Sequence, residues 1–192
     1  TENRYIEIII KEVARLEAIL NEVLNYVKES PMVIRESRIT DFIDELVYLF
    51  TSDSAWEKIE IIKEYDNNVS LVPCDDQQIK QVIINILMNA HDAMKGDGKI
   101  TIRTGHKTIN DRPFASISIS DTGGGIDPSI IDNIFNPFFT TKEGGTGLGL
   151  AISNKIILNH GGHIQINNLI GKGATFIVHL PMKNNIIREE II

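Results

Sequence analysis

The sequence is poor in cysteine and has no long apolar run. Its single cysteine, Cys74, excludes an internal disulfide and a metal cluster built on cysteines. Because Cys74 lies beside a predicted strand–helix junction, we expect a buried small apolar side chain rather than a reactive thiol. No apolar run approaches the roughly 18–20 residues that span a bilayer, and no signal-peptide pattern opens the chain. These absences favour a cytoplasmic location, which would also fit the cytoplasmic portion of a membrane-bound protein.

Positive charge is also scarce. The 192 residues contain 19 lysines and arginines against 26 aspartates and glutamates, so the net charge of −7 argues against a nucleic-acid surface. A hydrophobic content of 42% and a charged content of 23% are ordinary for a soluble globular protein of one or two domains. Because the chain starts without a methionine, within a helical pattern, we expect it to be part of a longer protein.

The pattern predicts one long helix over residues 3–29, which Pro31 ends. Apolar residues recur at spacings of three and four, which is the a/d seam of a coiled coil. A lone helix cannot bury such a face, so we expect an oligomerising helix, with docking on its own domain as the alternative. The seam consists of Ile6, Ile9, Val13, Leu16, Leu20, Val23 and Val27, widened by Ile10, Ile19 and Leu24.

From Pro31 onward the pattern is mixed, with both helices and strands. Sequence-adjacent strands are expected to pair antiparallel with the helices on one face, which predicts an α+β fold, a two-layer α/β sandwich. We expect a first unit over residues 1–30, a second over 31–182 and a loosely ordered tail over 183–192. The predicted helices are Asp41–Thr51, Gln81–Met94, a short one near 128–133 and Leu150–His160; the predicted strands are Ile59–Tyr65, Lys99–His106, Phe114–Ser120, His163–Asn168 and Ala174–Leu180, with a turn at 110–113.

The predicted helix Gln81–Met94 is apolar but carries two asparagines, Asn85 and Asn89. Their spacing of four residues places both carboxamides on one helical face. Because apolar residues fill much of the remaining surface, the helix should be largely buried, and buried amides need hydrogen-bond partners. The helix alone leaves open whether these partners are backbone groups, water, or a bound cation with its ligand.

Three further segments have the composition of ligand loops, each with a structural alternative. In Asp121–Ile126 a carboxylate precedes three glycines and can accept a hydrogen bond from a ligand amine, although a tight Asx turn has the same pattern. In Gly144–Leu150 glycines open a helix, which suits an anion or is simply a flexible helix start. In Phe135–Lys142 the lysine can face a terminal phosphate, although a solitary loop lysine is more often solvated. With a triphosphate bound, the amides of Asn85 and Asn89 can ligate Mg²⁺.

The order and spacing of these motifs resemble the ATP-binding domain of the GHKL superfamily (gyrase, heat-shock chaperones, histidine kinases and mismatch-repair ATPases). Within it, the sequence is most similar to sensor histidine kinases of the nitrogen-regulation type. Residues 5–30 resemble the second helix of the dimerisation and phosphotransfer hairpin that precedes this domain. The matching motifs are QVIINILMNAHDAM (N box), DTGGGI (first glycine box), IFNPFFTTK (phenylalanine box), GGTGLGLA (second glycine box) and GKGATF (last glycine box).

The resemblance implies a role for each matching residue. Asn85 and Asn89 would hold Mg²⁺ against the phosphates of ATP, and Asp121 would read the adenine amine. Lys142 would approach the γ-phosphate from a lid, residues 136–147, that we expect to be mobile without nucleotide. The other residues implied in the ATP site are Gly123, Gly125, Ile126, Phe135, Phe138, Thr146, Gly147, Leu148, Gly149, Leu150 and Thr175.

Three positions depart from the pattern of relatives. Many relatives carry an arginine where Thr140 stands, and many carry a basic residue near the phosphates where Asp92 stands. ATPases of the gyrase and chaperone kind carry a glutamate, the general base for water, four residues before Asn89. Here that position is Asn85, and an amide cannot accept a proton near neutral pH, so ATP hydrolysis should be slow.

The resemblance therefore implies a protein-histidine kinase of a two-component system. It would transfer the γ-phosphate of Mg-ATP to a histidine, for relay to an aspartate of a response regulator receiver domain, and its parent would be a homodimer. Alternatives that stay open are a GHKL ATPase, an anti-sigma-type serine kinase and a nucleotide-binding module without catalysis. In the family the acceptor histidine is followed by an acidic residue and usually by Asn-Pro. None of the five histidines has this context: His91, His106, His160, His163 and His179. The acceptor should therefore lie upstream of Thr1, and we expect that this chain alone does not phosphorylate itself.

Overall fold

The computed structural model describes residues 31–66, 71–142 and 144–182, and in addition residues 6, 9, 10, 12, 13, 16, 17, 20, 23, 24 and 27. These N-terminal positions are all helical. The continuous helix predicted for residues 3–29 also includes positions outside the described residues, and the predicted tail 183–192 lies entirely outside them. Among the described residues, no helix has the length and apolar character needed to cross a membrane. The exposed apolar side chains of the predicted seam are Ile6, Ile9, Ile10, Val13, Leu16, Leu20, Leu24 and Val27.

The described chain from residue 31 onward forms three helices and seven strands. The predicted short helix near residues 128–133 is a single 3₁₀ turn, Ile131–Asn133, and a second such turn spans Ser54–Trp56. In chain order the elements are β1 (Arg35–Ser37), α1 (Ile39–Thr51), β2 (Ile59–Glu64), β3 (Val72–Cys74), α2 (Asp76–Ala93), β4 (Gly98–Ile109), β5 (Arg112–Asp121), α3 (Gly149–Asn159), β6 (His163–Leu169) and β7 (Gly173–Pro181).

The main sheet has five strands in the order β2-β4-β5-β7-β6. Three of its pairings are antiparallel, but β2 and β4 pair in parallel, contrary to the expectation that sequence-adjacent strands pair antiparallel. The reason is that β3 and α2 intervene and return the chain to the same end of the sheet, which is the crossover that a parallel pair requires. Strand β3 pairs instead with β1 in a separate two-stranded sheet, which the sequence did not predict.

The core lies between one face of the main sheet and the helices, as the predicted two-layer α+β fold requires. The apolar side of α2 is fully buried, and Cys74 is buried at the end of β3. The predicted burial of Cys74 is confirmed, and this burial raises the pKa of its thiol to about 12. The buried residues of the sheet that face this core include Ile100, Ile102, Ile117, Ile119, Phe176 and Val178.

The N-terminus of α2 and the C-terminus of α3 are joined by a contact between Asp75 and His160. The Asp75 side chain caps α2 by accepting hydrogen bonds from the N–H groups of Gln77 and Gln78. The Asp75 N–H donates to Nε2 of His160 at 3.0 Å, while Nδ1 of His160 lies 2.8 Å from the carbonyl oxygen of Ile156. His160 therefore fixes the C-terminal turn of α3 against the N-terminus of α2.

The turn between β4 and β5 is shorter than the predicted turn at residues 110–113. Asn110 and Asp111 both have positive φ, 48° and 61°, which is the conformation of a two-residue hairpin turn. Arg112 and Pro113 already belong to β5, opposite Ile109 and Thr108.

Candidate functional site

A cavity of about 950 Å³ lies between α2, the loop after β5, the lid and the first turn of α3. Its volume is within the range of small-molecule sites. Five predicted site residues do not line it. Gly123 supports the loop after β5, Leu148 is buried, and Phe135 packs against the hydrophobic core. Phe138 is 63% exposed, and Thr175 hydrogen-bonds Ser120 on the sheet. The predicted residues that do line the cavity are Asn85, Asn89, Asp121, Gly125, Ile126, Lys142, Thr146, Gly147, Gly149 and Leu150.

Asp121 is held at the end of β5 by backbone donors. Its Oδ1 accepts the N–H of Gly123 at 2.8 Å and the N–H of Ala174 at 3.3 Å, so Oδ2 has acceptor capacity left for a ligand. Burial raises the pKa of the Asp121 carboxyl above its ordinary value, although these two N–H groups act in the opposite direction. A Cβ at position 173 would lie 1.9 Å from the backbone oxygen of Asp121, so the second glycine of the motif GKGATF has no room for a side chain.

The loop after β5 is clamped by a residue that the sequence did not reveal, Asn168 on β6. Its Oδ1 accepts the N–H of Ile126 at 2.8 Å, and its Nδ2 donates to the carbonyl oxygen of Ile126 at 2.6 Å. The N–H of Gly171 donates to the carbonyl oxygen of Gly124 at 2.8 Å. The β6–β7 hairpin therefore holds the wall of the cavity, and the pairing of distant segments on which this depends has no signal in a single sequence.

Asn85 joins α2 to the first turn of α3. Its Nδ2 donates to the carbonyl oxygen of Gly149 at 2.9 Å and lies 3.2 Å from Oγ of Ser153. Ser153 is fully buried and also donates to the Gly149 carbonyl oxygen. Among the partners that the helix pattern left open, the Asn85 Nδ2 group thus binds backbone and a hydroxyl, and its Oδ1 is still able to accept a ligand.

Lys142 crosses from the lid to α2. Its Nζ lies 2.7 Å from Oδ1 of Asn89 and 2.6 Å from Oδ2 of Asp92. Asp92 also lines the cavity, at the position where the resemblance led us to expect a basic residue. The lysine is therefore not solvated in isolation: its ammonium group occupies a position between two oxygens that converge from α2.

The lid is folded back on itself. The N–H of Phe138 donates to the carbonyl oxygen of Gly147, and the N–H of Gly145 donates to that of Lys142. Gly147 has a φ of 69°, and a Cβ there would lie 2.5 Å from the backbone carbon of Phe138. The close approach of these two segments at the base of the lid therefore requires glycine at position 147.

The charges around the cavity are mostly negative. Among the described lining residues, Asp92, Asp121 and Asp127 are acidic, and Lys142 is basic. A highly anionic ligand would therefore need a cation in addition to Lys142 to offset this charge. Within the described part of the chain, no group of three or more histidine, cysteine or acidic side chains is arranged to bind a metal by itself.

None of the five histidines belongs to the described lining of the cavity. His160 connects α2 and α3, as described above, and each of the others has neighbours away from the cavity. His91 lies 3.1 Å from the carbonyl oxygen of Ala55, His106 lies 3.1 Å from a carboxylate oxygen of Asp66, and His163 stacks on His179 with ring centroids 4.5 Å apart.

Comparison with known proteins gives a family match and close structural neighbours. The family model described as "Histidine kinase-, DNA gyrase B-, and HSP90-like ATPase" matches residues 74–184. The signal transduction histidine-protein kinase AtoS of Escherichia coli strain K12 is 36% identical over 178 residues, which are 93% of this chain and 29% of AtoS. The chain thus corresponds to less than a third of that relative.

Two solved structures of the histidine kinase ThkA are similar to this chain. The ThkA catalytic domain is 37% identical with a TM-score of 0.69, and the match covers 79% of this chain and 97% of that domain. ThkA in complex with the response regulator protein TrrA is 36% identical with a TM-score of 0.73, and the match covers 95% of this chain and 52% of ThkA.

Proposed function

The chain belongs to the family of histidine kinase-, DNA gyrase B- and HSP90-like ATPases, and 79% of it matches the catalytic domain of a histidine kinase. We therefore propose that it binds Mg-ATP and transfers the γ-phosphate to a histidine outside this chain. The observation that carries the proposal is one cavity in which a buried carboxylate, two helix amides and a lid lysine are brought together.

Asp121 provides the adenine end of the site. Its carboxylate is fixed through Oδ1 by two backbone N–H groups and can accept the exocyclic amine of adenine through Oδ2. Ile126, held by Asn168, supplies an apolar wall beside it. A base with an oxygen acceptor in place of the amine would face this carboxylate unfavourably, so the site selects adenine over guanine.

The first turn of α3 provides the phosphate end. Thr146, Gly147, Gly149 and Leu150 line the cavity where the helix begins, so backbone N–H groups and the positive end of the helix dipole face a bound anion. Lys142 lines the same cavity and reaches α2 with its ammonium group. Phosphoryl transfer mainly requires positioning and charge neutralisation, which these groups supply.

The residues at α2 fit a divalent cation. Oδ1 of Asn89 already binds a cationic group, the ammonium of Lys142, and Oδ1 of Asn85 can also accept. We propose that Asn89 and Asn85 hold Mg²⁺ against the phosphates, where it would neutralise charge on the transferred group. The excess of carboxylates around the cavity makes that neutralisation necessary.

The arrangement favours kinase over ATPase chemistry. A hydrolase needs a general base for water, and the position that serves this purpose in ATPase relatives is Asn85, whose amide cannot accept a proton near neutral pH. Its Nδ2 is moreover directed to the carbonyl oxygen of Gly149. Steady-state ATP turnover by the purified chain should therefore stay slow, and turnover comparable to that of a dedicated ATPase would contradict the kinase assignment.

For the parent protein we propose relay to a response regulator and a homodimeric state. The first rests on similarity to ThkA, which was crystallised with the response regulator TrrA. The second rests on the exposed apolar side chains among the described N-terminal residues, which a second copy of the helix would cover. The units 1–30 and 31–182 then correspond to a partial dimerisation and phosphotransfer hairpin and a catalytic domain, with 183–192 as a tail.

Nucleotide binding by an Asn89→Ala variant tests the proposed function. Calorimetric titration of the wild-type chain with a non-hydrolysable ATP analogue and Mg²⁺ should show binding, and Asn89→Ala should abolish it while leaving the circular dichroism spectrum unchanged. Asn133→Ala, at an exposed position outside the described cavity lining, is the matched control and should bind normally. Unchanged affinity in Asn89→Ala would refute the assignment of the site.

A further inference from the structure

Asn89 and Asp92 form a site for one cation on the surface of α2. They are three residues apart on the helix, so their side chains lie on the same face. Oδ1 of Asn89 and Oδ2 of Asp92 are 2.7 and 2.6 Å from the same atom, Nζ of Lys142. A neutral amide oxygen and a carboxylate oxygen that converge on one point are also suitable ligands for a hard divalent cation.

The ammonium group of Lys142 therefore occupies the position at Asn89 that the proposed function assigns to Mg²⁺. Both cations cannot be within bonding distance of Oδ1 of Asn89 at this point without strong repulsion. If Lys142 is to face the terminal phosphate, it has to leave this position. Its departure would leave Asp92 as a carboxylate without its ion-pair partner, next to a triphosphate.

We propose that Asn89 and Asp92 form a cation-exchange site, in which Asp92 is a ligand of the divalent cation when nucleotide is bound and of Lys142 when it is not. The proposal rests on the proposed nucleotide function and deepens it, because it adds Asp92 to the cation site. Lys142 is released toward the terminal phosphate when a divalent cation takes its place. Asp92 is thus a residue that makes the position of the lid depend on the metal.

The charges of the site explain why an acidic residue is tolerated beside the phosphates. With Lys142 on Asp92, the two charges compensate each other in the structure described here. With a divalent cation at the same point, one positive charge remains after Asp92 is neutralised, and Lys142 contributes a second to the nucleotide. A basic residue at position 92 would supply charge directly but would not exchange partners.

Binding of Mn²⁺ in the absence of nucleotide tests the exchange directly, with electron paramagnetic resonance as the readout. Lys142→Met removes the competing ammonium, so Mn²⁺ should bind about two- to fivefold more tightly, which corresponds to the strength of an exposed ion pair. Asp92→Asn removes a ligand and should weaken Mn²⁺ binding about tenfold or more. Lys58→Met and Asp97→Asn, which make the same charge changes at exposed positions outside the described lining, should have no effect.

A second measurement includes the nucleotide. With a non-hydrolysable ATP analogue present, Asp92→Asn should raise the Mn²⁺ concentration needed for half-maximal analogue binding about tenfold. Hydrogen exchange of the lid amides should accelerate on addition of Mn²⁺ alone in the wild type, because Lys142 is released, and should already be fast in Lys142→Met. Melting curves of both variants show whether the fold is retained.

The outcomes separate this inference from the proposed function. If the wild type binds the Mn²⁺–analogue complex but Asp92→Asn shows an unchanged Mn²⁺ requirement, Asp92 is not a ligand and the exchange site is refuted, while nucleotide binding stands. If Lys142→Met does not strengthen Mn²⁺ binding without nucleotide, the two cations do not compete, which also refutes it. If the wild type binds no analogue at any Mn²⁺ concentration, both proposals fail.

Discussion

Asn168 pairs its carboxamide with both backbone groups of Ile126, accepting the N–H at 2.8 Å and donating to the carbonyl oxygen at 2.6 Å. This contact joins two segments 42 positions apart in the chain, the β6 strand and the loop that follows β5. Because Ile126 lines the cavity and Asp121 lies just before the same loop, the geometry of the proposed adenine end depends on a residue that does not itself line the cavity.

Replacing Asn168 with aspartate should weaken nucleotide binding. The carboxylate keeps the acceptor for the Ile126 N–H but loses the donor, so two oxygens would face each other at 2.6 Å. An unmade hydrogen bond of this kind costs about 1–3 kcal/mol, which we expect to be divided between stability and affinity. Titration with an ATP analogue should show a dissociation constant raised about 3- to 30-fold.

Asn167→Asp is the matched control for Asn168→Asp. It makes the same chemical change at the preceding residue of β6, whose side chain is exposed on the other face of the strand. Its affinity for the analogue should stay within about twofold of wild type, because surface substitutions usually have small effects. Equal affinity in the two variants would mean that the clamp on Ile126 has no part in binding.

Binding of the base should depend on the ionisation of Asp121. Protonation of Oδ2 would place a donor where the adenine amine needs an acceptor, and burial raises the pKa of this carboxyl group. Affinity should therefore fall as the pH is lowered through a range above that of an ordinary aspartate. Adenosine is the probe, because it lacks phosphates that titrate in this range. Asp121→Asn should bind adenosine at least about tenfold more weakly and lose the pH dependence; a retained slope in this variant would assign the titration to another group.

The raised pKa of Asp121 affects stability in the opposite direction to affinity: the stability falls, rather than rises, with increasing pH. Since the folded-state pKa of Asp121 is raised above its unfolded value, the folded protein binds more protons in this window, and the contribution of Asp121 to stability falls as the pH rises through it. Asp121→Asn should therefore melt at the same or a higher temperature near neutral pH while binding more weakly. A variant that loses both stability and affinity would instead indicate that the two N–H groups on Oδ1 dominate.

The motifs were predictable from the sequence because each combines local chemistry with local structure. The glycines and the apolar periodicity place Asp121 before a glycine-rich loop, Asn89 on a helix and Lys142 in an irregular segment without knowledge of the tertiary fold, and the family resemblance implies their roles. The clamp by Asn168 and the ion pair of Asp92 with Lys142 depend on which distant segments meet, and an asparagine or aspartate at the surface has the same local pattern with or without such a partner. The parallel pairing of β2 with β4 was missed for the same reason, since it follows from the path of the chain between them.

Asn85→Asp should impair the protein rather than turn it into an ATPase. A carboxylate at this position cannot donate to the carbonyl oxygen of Gly149, 2.9 Å away, and would repel it. We expect the unfolding free energy to fall by about 1–3 kcal/mol. We also expect weaker binding of the phosphates, because the first turn of α3 would shift. Denaturant unfolding and a coupled phosphate-release assay measure both effects.

Asn133→Asp is the control for Asn85→Asp, because Asn133 acts as an acceptor, from Nδ2 of Asn136, and aspartate preserves that role. It should unfold at the same denaturant concentration as the wild type. An Asn85→Asp variant of wild-type stability that hydrolyses ATP rapidly would show that the bond to Gly149 is dispensable and that a base is all the site lacks.

His179 should make the protein sensitive to acid. The side chain is 3% exposed on β7, stacked on His163, and neither ring nitrogen has a hydrogen-bond partner among the described residues. Burial, with smaller contributions from His163 and Lys107, lowers the pKa of His179 to about 4 from an ordinary 6.5. Between these two values the unfolded chain binds more protons than the folded one, so the stability contributed by neutral His179 is complete above pH 6.5 and is lost as the pH falls toward 4.

His179→Leu tests this dependence, because it removes the proton site and the unpaired polar group. Between pH 7 and pH 4.5 the unfolding free energy of the wild type should decrease, and the decrease should be about 1–2 kcal/mol smaller in His179→Leu. A slope in His179→Leu as steep as in the wild type would show that His179 is not the group that titrates.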